Sequence, residues 1–508
     1  MTNVNNNYDI IIIGAGHNGL VAANYLAKAG KKILVLEART LTGGQTVSES
    51  FTEGFRVDAL HAGGQLRPDI IRDLGLEKFA LAALRNQPYI SVLPDGKRLQ
   101  LSVQPNDSAT LDSIRQFSEA DAKRWPEFVA FMNNAAAFLD AAYKTPMPRF
   151  AKLKPLAEGL PLALLALKLR RLGGKDMFRV IRAMSMSALE LTEEWFESDQ
   201  LRAAIAAVAV HGSTLGSMSA GTGYTLMHNW LNRGGLAQAQ LDGGRGKIAE
   251  ALVAELNARG GEVRTAAKVN KILVDKQKVL GIQLDNGDEI KAEVIFSATD
   301  PRNTLLNLVG AVQLPPEFVW QVQSIKMRGS VAKIHCLTDG GHGLPAGTLC
   351  IAPSIKYIER AYDAAKYGEM STKPYLEITS AGNVVSIHFQ FAPYSLRNGD
   401  WASLRSPLET RAIDTVSEYF PQFRASIQQI KSITPKDLES IYGLTEGDLN
   451  HGQLILDQIF FMRPLPGYSN HKTPIDGLYL CGNGIHGGGG ISGASGRNAA
   501  KLALKHNA

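Results

Sequence analysis

At 508 residues, 45% hydrophobic and 20% charged, the chain has room for two or three domains and a large core. Its net charge of +6 is too modest to demand a nucleic acid partner. The 3 cysteines, Cys336, Cys350 and Cys481, show no CxxC spacing, which argues against a redox dithiol or a disulfide framework and fits a reducing compartment.

The segment Met1–Asn7 is polar and has neither a secretory nor a transit pattern. The apolar run Ile10–Ile13 then predicts a strand that stops at Gly14-Ala15-Gly16-His17-Asn18-Gly19. A helical pattern follows from Leu20 to Ala29, and a second apolar run, Ile33–Leu36, ends on Glu37. Strand, glycine turn, helix, strand and acid form a dinucleotide-binding βαβ unit. Gly14 permits the turn, Gly16 lets a pyrophosphate approach the backbone, and Gly19 lets the helix pack on the sheet. The helix start offers free N–H groups to phosphates. Glu37 stands where an acid accepts hydrogen bonds from ribose hydroxyls and disfavours a 2′-phosphate. Beyond it come Ala38, Arg39, then Gly43-Gly44-Gln45. A glycine pair just after the ribose acid is the extended signature of FAD-binding proteins of the glutathione-reductase type.

Residues 86–110 read as strands around the turn Pro94-Asp95-Gly96, and Leu111–Ala142 as helix. In residues 143–176 leucines crowd among Arg149, Lys152, Lys154, Lys168, Arg170, Arg171 and Lys175. Two readings fit this stretch: a buried core helix with a basic end, or peripheral contact with a membrane interface. No apolar run reaches the roughly eighteen residues that span a bilayer, so a cytoplasmic protein, with or without that contact, is expected. Helices continue through 178–240, with Thr192-Glu193-Glu194 as a helix start. Small residues from Ala203 to Ala209 and from Met218 to Gly223, beside Tyr224 and Trp230, suit either a narrow apolar channel or tight helix packing.

At Asp242–Lys247 the chain returns to the nucleotide domain, with a helix around Ile248–Leu256 and strands near 263–265, 269–274, 279–284 and 294–296. Asn286-Gly287 predicts a hairpin, and Ser297-Ala298-Thr299-Asp300-Pro301 a turn at a strand's carboxyl end, where ligands of α/β sheets bind. Residues 328–337, 376–379 and 384–391 read as strands and 408–419 as a helix. Near the C-terminus, Leu478–Asn483 and Gly487–Gly493 read as a strand feeding a glycine-rich helix start. The expected organisation is α/β: a glutathione-reductase-type FAD-binding Rossmann domain from 1–85, 236–310 and 451–508, with a substrate domain of mixed sheet plus helices from 86–235 and 311–450.

Several motifs together resemble the phytoene desaturase-like flavoproteins of the amine-oxidase superfamily. They are Ile13–Ala23, Gly43-Gly44, Gly243–Gly246, Ala298–Arg302, Phe461–Tyr468 and Leu478–Gly493. Within that family the chain is similar to the branch of pyridine nucleotide-disulfide oxidoreductase domain-containing proteins and carotenoid ketolases. The resemblance implies non-covalent FAD, held at Gly14–Gly19, at Glu37 with Ala38 and Arg39, and at Gly43, Gly44 and Gln45. It further implies Val269 on the adenine side, and Gly482, Asn483, Gly489, Gly490 and Ile491 at the flavin end. Disulfide chemistry is set aside because no CxxC is present.

The resemblance also implies a long apolar isoprenoid or polyene substrate desaturated by hydride transfer to flavin N5. A redox-neutral isomerase, a ketolase and a flavin-bound regulatory protein with little turnover share the scaffold. A soluble amine oxidase needs an aromatic cage at the flavin, and Ile485 and His486 stand beside the C-terminal glycines instead. His61, His211, His228, Asp300 and Arg463 are the polar candidates near the flavin, each of which also reads as packing or cofactor support. No histidine–carboxylate cluster has metal spacing. Catalytic residues, electron acceptor and homo-oligomerisation stay open.

Overall fold

The computed structural model describes residues 8–60, 64–81, 84–85, 87–147, 155–238 and 240–506. A parallel sheet of five strands runs in the order Leu478–Leu480, Val294–Ser297, Ile10–Ile13, Ile33–Leu36, Glu262–Arg264. Its strands therefore come from three distant parts of the chain. The Ile10–Ile13 strand is buried throughout because both faces of the sheet are covered. Ile10 and Ile12 pack with the helices His17–Lys28, Gly246–Ala258 and Ala494–Lys505. Ile11 and Ile13 face the antiparallel strands Val269–Asp275 and Lys278–Leu284 and the π-helical turn Asn303–Gly310. Asn286-Gly287 connects Lys278–Leu284 to Glu289–Lys291, the hairpin its sequence predicts.

A second sheet has seven strands, in the order Ile427–Ile433, Val331–Thr338, Val384–Gln390, Leu376–Ala381, Thr348–Ile351, Tyr89–Val92, Arg98–Leu101. It is antiparallel except where Thr348–Ile351 meets Tyr89–Val92. Alternation gives it two unlike faces. Ile334, Ile378 and Ile387 pack on one side beneath the helix Trp401–Tyr419. Their neighbours Lys333, His335, Glu377, His388 and Gln390 point to the other, and all are fully buried.

The helical layer departs from its sequence pattern in two places and bears on two that the pattern leaves open. The stretch expected as one helix over 111–142 is two, Ser108–Arg115 and Glu119–Lys144. The break is set by Ser118, whose Oγ accepts from the Asp121 N–H at 3.0 Å and caps the second helix. Thr192-Glu193-Glu194 ends a helix rather than starting one: Ala188–Glu193 begins in a capping box of Ser187 and Glu190, which satisfies its first N–H groups earlier in the chain. The small residues Ala203–Ala209 are all buried, and a Cβ on Gly223 would lie 2.1 Å from the Ala183 carbonyl oxygen. They serve tight helix packing, not a channel wall. Lastly, Pro155–Arg170 is not a buried core helix, because Leu160, Leu164 and Leu167 are exposed. Residues 148–154, with Arg149, Lys152 and Lys154, lie outside the described residues. Among the described residues no helix is long and apolar enough to cross a membrane.

The first and last helices of the nucleotide domain touch through a glycine. A Cβ on Gly496 would stand 2.0 Å from the Asn18 carbonyl oxygen. Gly496→Ala is expected to lower stability by about 1–3 kcal/mol, the usual penalty of overpacking. The midpoint of urea unfolding checks this, and an unchanged midpoint would contradict the contact.

Candidate active site

A cavity of about 640 Å³ opens at the carboxyl ends of the parallel strands. That volume is typical of cofactor sites, which run from about 300 to 1,000 Å³. Gly14 has φ +94°, a conformation that favours glycine, and turns the chain out of its strand. A Cβ on Gly16 would meet nothing within 4 Å, so the backbone there faces open space. A Cβ on Gly19 would stand 2.2 Å from the Gly14 carbonyl oxygen, so the helix packs hard on the turn. No side chain caps this helix, and its first N–H groups are left for an anion.

Glu37 marks one end of the cavity. Its carboxylate accepts from the Ala15 N–H at 2.8 Å and the Arg39 N–H at 3.0 Å, which holds it at the rim with lone pairs to spare. Arg39 pairs with Glu49 and stacks 4.5 Å over the Tyr442 ring. Val269 lines the same end. At the other end stand His17, Gln45, His451 and Asn483. Asn18 Nδ2 donates to Asn483 Oδ1 at 2.7 Å, and Asn483 Nδ2 to Gln45 Oε1 at 3.3 Å. His17 Nε2 is buried with no partner among the described residues. An unspent ring nitrogen and a bare glycine backbone along one long cavity fit a dinucleotide cofactor.

The expected cofactor residues fall into two groups. Gly14, Gly16, His17, Asn18, Glu37, Ala38, Arg39, Gly44, Gln45, Val269 and Asn483 border the cavity. Ala15, Gly19, Gly43, Gly482, Gly489 and Ile491 do not border it. The Gly43 N–H donates to the Ala15 carbonyl at 2.9 Å, and a Cβ on Gly482 would sit 2.6 Å from the Ala298 oxygen. Gly490 borders a second, smaller cavity of about 50 Å³, which also shares Gln45 with the first.

Among the polar candidates, His211 and His228 border this second cavity. Asp300 and Arg463 are buried elsewhere. Asp300 accepts from the Asn303 N–H at 2.8 Å and the Thr445 hydroxyl at 2.6 Å, and burial raises its pKa. Arg463 donates to the carbonyls of Gly452, Asn450 and Asn483 at 3.1, 2.6 and 2.9 Å, and so braces the wall. His61 lies outside the described residues.

His228 anchors a hydrogen-bonded chain. Asn232 Nδ2 donates to the His228 carbonyl at 3.1 Å, which identifies that atom as nitrogen, and also to His228 Nε2 at 2.8 Å. Nδ1 then carries the proton and donates to Tyr143 Oη at 2.7 Å, and Tyr143 to Tyr224 Oη at 2.8 Å. Burial, aided by the Arg463 charge, pulls His228 down to about 3, so the ring is neutral.

The polar face of the seven-stranded sheet lies beside the second cavity. Arg233 donates to Glu377 at 2.8 Å, and Gln238 to the same carboxylate at 3.1 Å. Lys333 Nζ donates to His388 Nδ1 at 2.7 Å, and His388 Nε2 to Gln390 Oε1 at 2.8 Å. The His211 ring stacks on His388 with centroids 3.8 Å apart. Burial pulls Lys333 down to about 7, with Glu377 opposing and Arg245 and Arg233 assisting. The sequence reading passed over Asn229, Asn232, Lys333, Glu377 and His388. For the last three the signal is polar residues at every second position of apolar strands, as in Lys333/His335, Glu377/Thr379 and His388/Gln390, whereas Asn229 and Asn232 lie on the helix Thr222–Arg233.

The family model described as flavin containing amine oxidoreductase matches residues 19–504. The chain belongs to that family. It is 31% identical to pyridine nucleotide-disulfide oxidoreductase domain-containing protein 2 of Rattus norvegicus, over 98% of this chain and 93% of that one. A limonene dehydrogenase subunit of Castellaniella defragrans is 26% identical over 97% of this chain and 94% of its own. A phytoene desaturase (lycopene-forming) of Pseudescherichia vulneris is 25% identical over 97% and 99%. The fold is shared with an oxidoreductase from Methanosarcina mazei, at a TM-score of 0.59 and 19% identity over 98% of this chain and 99% of that one. The protein is an FAD-dependent oxidoreductase, and the long cavity fits its FAD.

Burial holds His17, His335, His451, His471 and His486 near 4 and His228 near 3, against an ordinary 6.5. Below pH 6.5 the unfolded chain takes up these protons and the folded chain does not. The contribution of these rings is therefore full above pH 6.5 and falls as pH drops toward 4, by up to about 1.4 kcal/mol per pH unit for each ring. The melting temperature is expected to drop steeply between pH 6.5 and 5. A flat profile down to pH 5 would contradict it.

Proposed function

We propose that the protein is a dehydrogenase that introduces a double bond into an apolar, isoprenoid-like substrate. The observation that carries this reading is the amide-lined wall of the smaller cavity, which shares Gln45 with the larger one. Gln45, Gly490, Asn229 and Asn232 line it, with a His228 that burial keeps unprotonated. Dehydrogenation of a carbon–carbon bond needs an aligned, water-poor surface more than a strong acid. The names of two full-length relatives, one a limonene dehydrogenase and the other a phytoene desaturase, support the substrate class.

FAD supplies the acceptor for a hydride taken from one substrate carbon. The protein's part is to hold and orient. The N–H groups after Gly16 would hold the pyrophosphate and Glu37 the ribose. Gln45, Asn18 and Asn483 lock the wall at the ring end. The proton lost from the neighbouring carbon passes to His211, which borders the smaller cavity and whose Nδ1 lies 3.4 Å from Glu377 Oε1. A solubilised isoprenoid mixed anaerobically with the holoprotein is expected to bleach the visible flavin absorption. It should also yield a product lighter by two hydrogens. A shifted double bond with unreduced flavin would replace this reading with isomerisation, and no change at all would remove it.

The same reading gives the helix Pro155–Arg170 and its neighbour Gly174–Ser185 a lipid surface. Leu160, Leu164 and Phe178 are 61%, 53% and 63% exposed, and Lys168, Arg170, Arg171 and Lys175 flank them. Apolar side chains enter the acyl boundary while basic ones meet anionic headgroups, each contributing about 1 kcal/mol. The protein is expected to co-sediment with phosphatidylserine-containing vesicles and not with neutral ones. The double variant Leu164→Glu/Phe178→Glu is expected to stay in the supernatant. Equal sedimentation of both proteins would sink the assignment.

A further inference from the structure

We infer that the smaller cavity recognises a neutral hydroxyl group on its ligand, through Asn229, Asn232 and Arg233. Asn229 and Asn232 are three residues apart on the helix Thr222–Arg233, so they share a face, and both border the cavity. Asn229 Nδ2 donates to the carbonyls of Val208 at 2.8 Å and His211 at 3.2 Å. A carbonyl only accepts, so this atom is the amide nitrogen. Asn232 Nδ2 is fixed in the same way by the His228 carbonyl at 3.1 Å and is spent a second time on His228 Nε2. Each amide therefore gives its donors to the protein. Neither Oδ1 receives a hydrogen bond from the described residues, although Asn232 is only 7% exposed. Gly490 keeps the approach clear, because a Cβ there would lie 2.9 Å from Asn232 Cγ.

The third group is of opposite polarity. Arg233 borders the cavity and is 4% exposed. Its Nη1 is taken by Glu377 and the Leu236 carbonyl, at 2.8 and 2.9 Å. Its Nε and Nη2 have no partner among the described residues. The cavity thus offers two acceptor oxygens beside unspent donors. An ammonium would meet the guanidinium charge. A carboxylate would meet two amide oxygens and the nearby Glu377. A hydroxyl donates to an amide oxygen and accepts from Arg233, and it is uncharged, so it satisfies both. A volume of about 50 Å³ suits such a terminal group rather than a whole substrate. The apolar remainder of the ligand rests on the proposed function, whereas the hydroxyl assignment rests on this cavity.

The test is equilibrium binding to the holoprotein, read from the change in flavin absorption, with two matched pairs: farnesol against farnesene, and 1-decanol against decane. The alcohol is expected to bind at least about tenfold more tightly than its hydrocarbon in the farnesyl pair, the usual scale for one well-placed buried hydrogen bond. In Asn229→Leu that ratio is expected to collapse toward one, through loss of alcohol affinity alone. If Asn229→Leu does not retain flavin, the ratio in the unaltered protein still decides. A preference confined to decanol would support the hydroxyl assignment and remove the isoprenoid reading. Equal binding within both pairs, tighter binding of farnesoic acid than of farnesol, or an unchanged ratio in a flavin-loaded Asn229→Leu would overturn the inference.

Discussion

A buried hydrogen bond from Asn18 to Asn483, 2.7 Å long, joins the first glycine turn to the end of the last parallel strand. The two residues are 465 positions apart. Closing so long a loop has an entropic cost, which grows only slowly with length and is met by the packing around it. Gly496 lets the final helix press on the Asn18 carbonyl, and the same Asn483 donates to Gln45 at 3.3 Å. Glycine turn, glycine pair and C-terminal segment thus become one wall. Without this closure the cofactor cavity has only its nucleotide end.

The second constraint is the two-faced sheet of the substrate side. Its apolar face is an ordinary core. Its other face buries Lys333, Glu377 and His388 completely. Burying charge costs several kcal/mol per ion unless partners compensate. Here Arg233 and Gln238 serve Glu377, and His388 receives Lys333. An apolar face would serve stability as well or better, and the cluster lies beside the second cavity, which Arg233 and His211 border. The cost is reduced because burial drives His388 far below its ordinary value and lowers Lys333 to about 7.

Local patterns make the nucleotide unit legible in the sequence. Strand, Gly14–Gly19, helix and Glu37 are contiguous, and contiguous signals need no knowledge of the rest of the chain. The hairpin at Asn286-Gly287 was legible for the same reason. Helix starts were harder. Thr192 looked like a cap, but Ser187 had already begun the helix, and an acid pair after a threonine cannot show which end it marks. The leucine-rich segment was undecided because periodicity measures amphipathicity and not which face meets protein. The exposure of Leu160 and Leu164 removes the buried-core reading.

By itself the sequence determined the α/β class, the dinucleotide turn with its acid, the FAD cofactor and the return of the chain to its first domain. Each follows from short-range spacing that backbone chemistry imposes. Only the tertiary structure decided which side chains meet at the second cavity. Asn229 and Asn232 come from one helix, Gly490 from the far end of the chain, and Gln45 from its beginning. It also decided that Asn229 turns its amide nitrogen to the Val208 and His211 carbonyls and that His228 loses its charge. Hydrogen-bond direction and burial depend on neighbours hundreds of residues away, and no local pattern carries them.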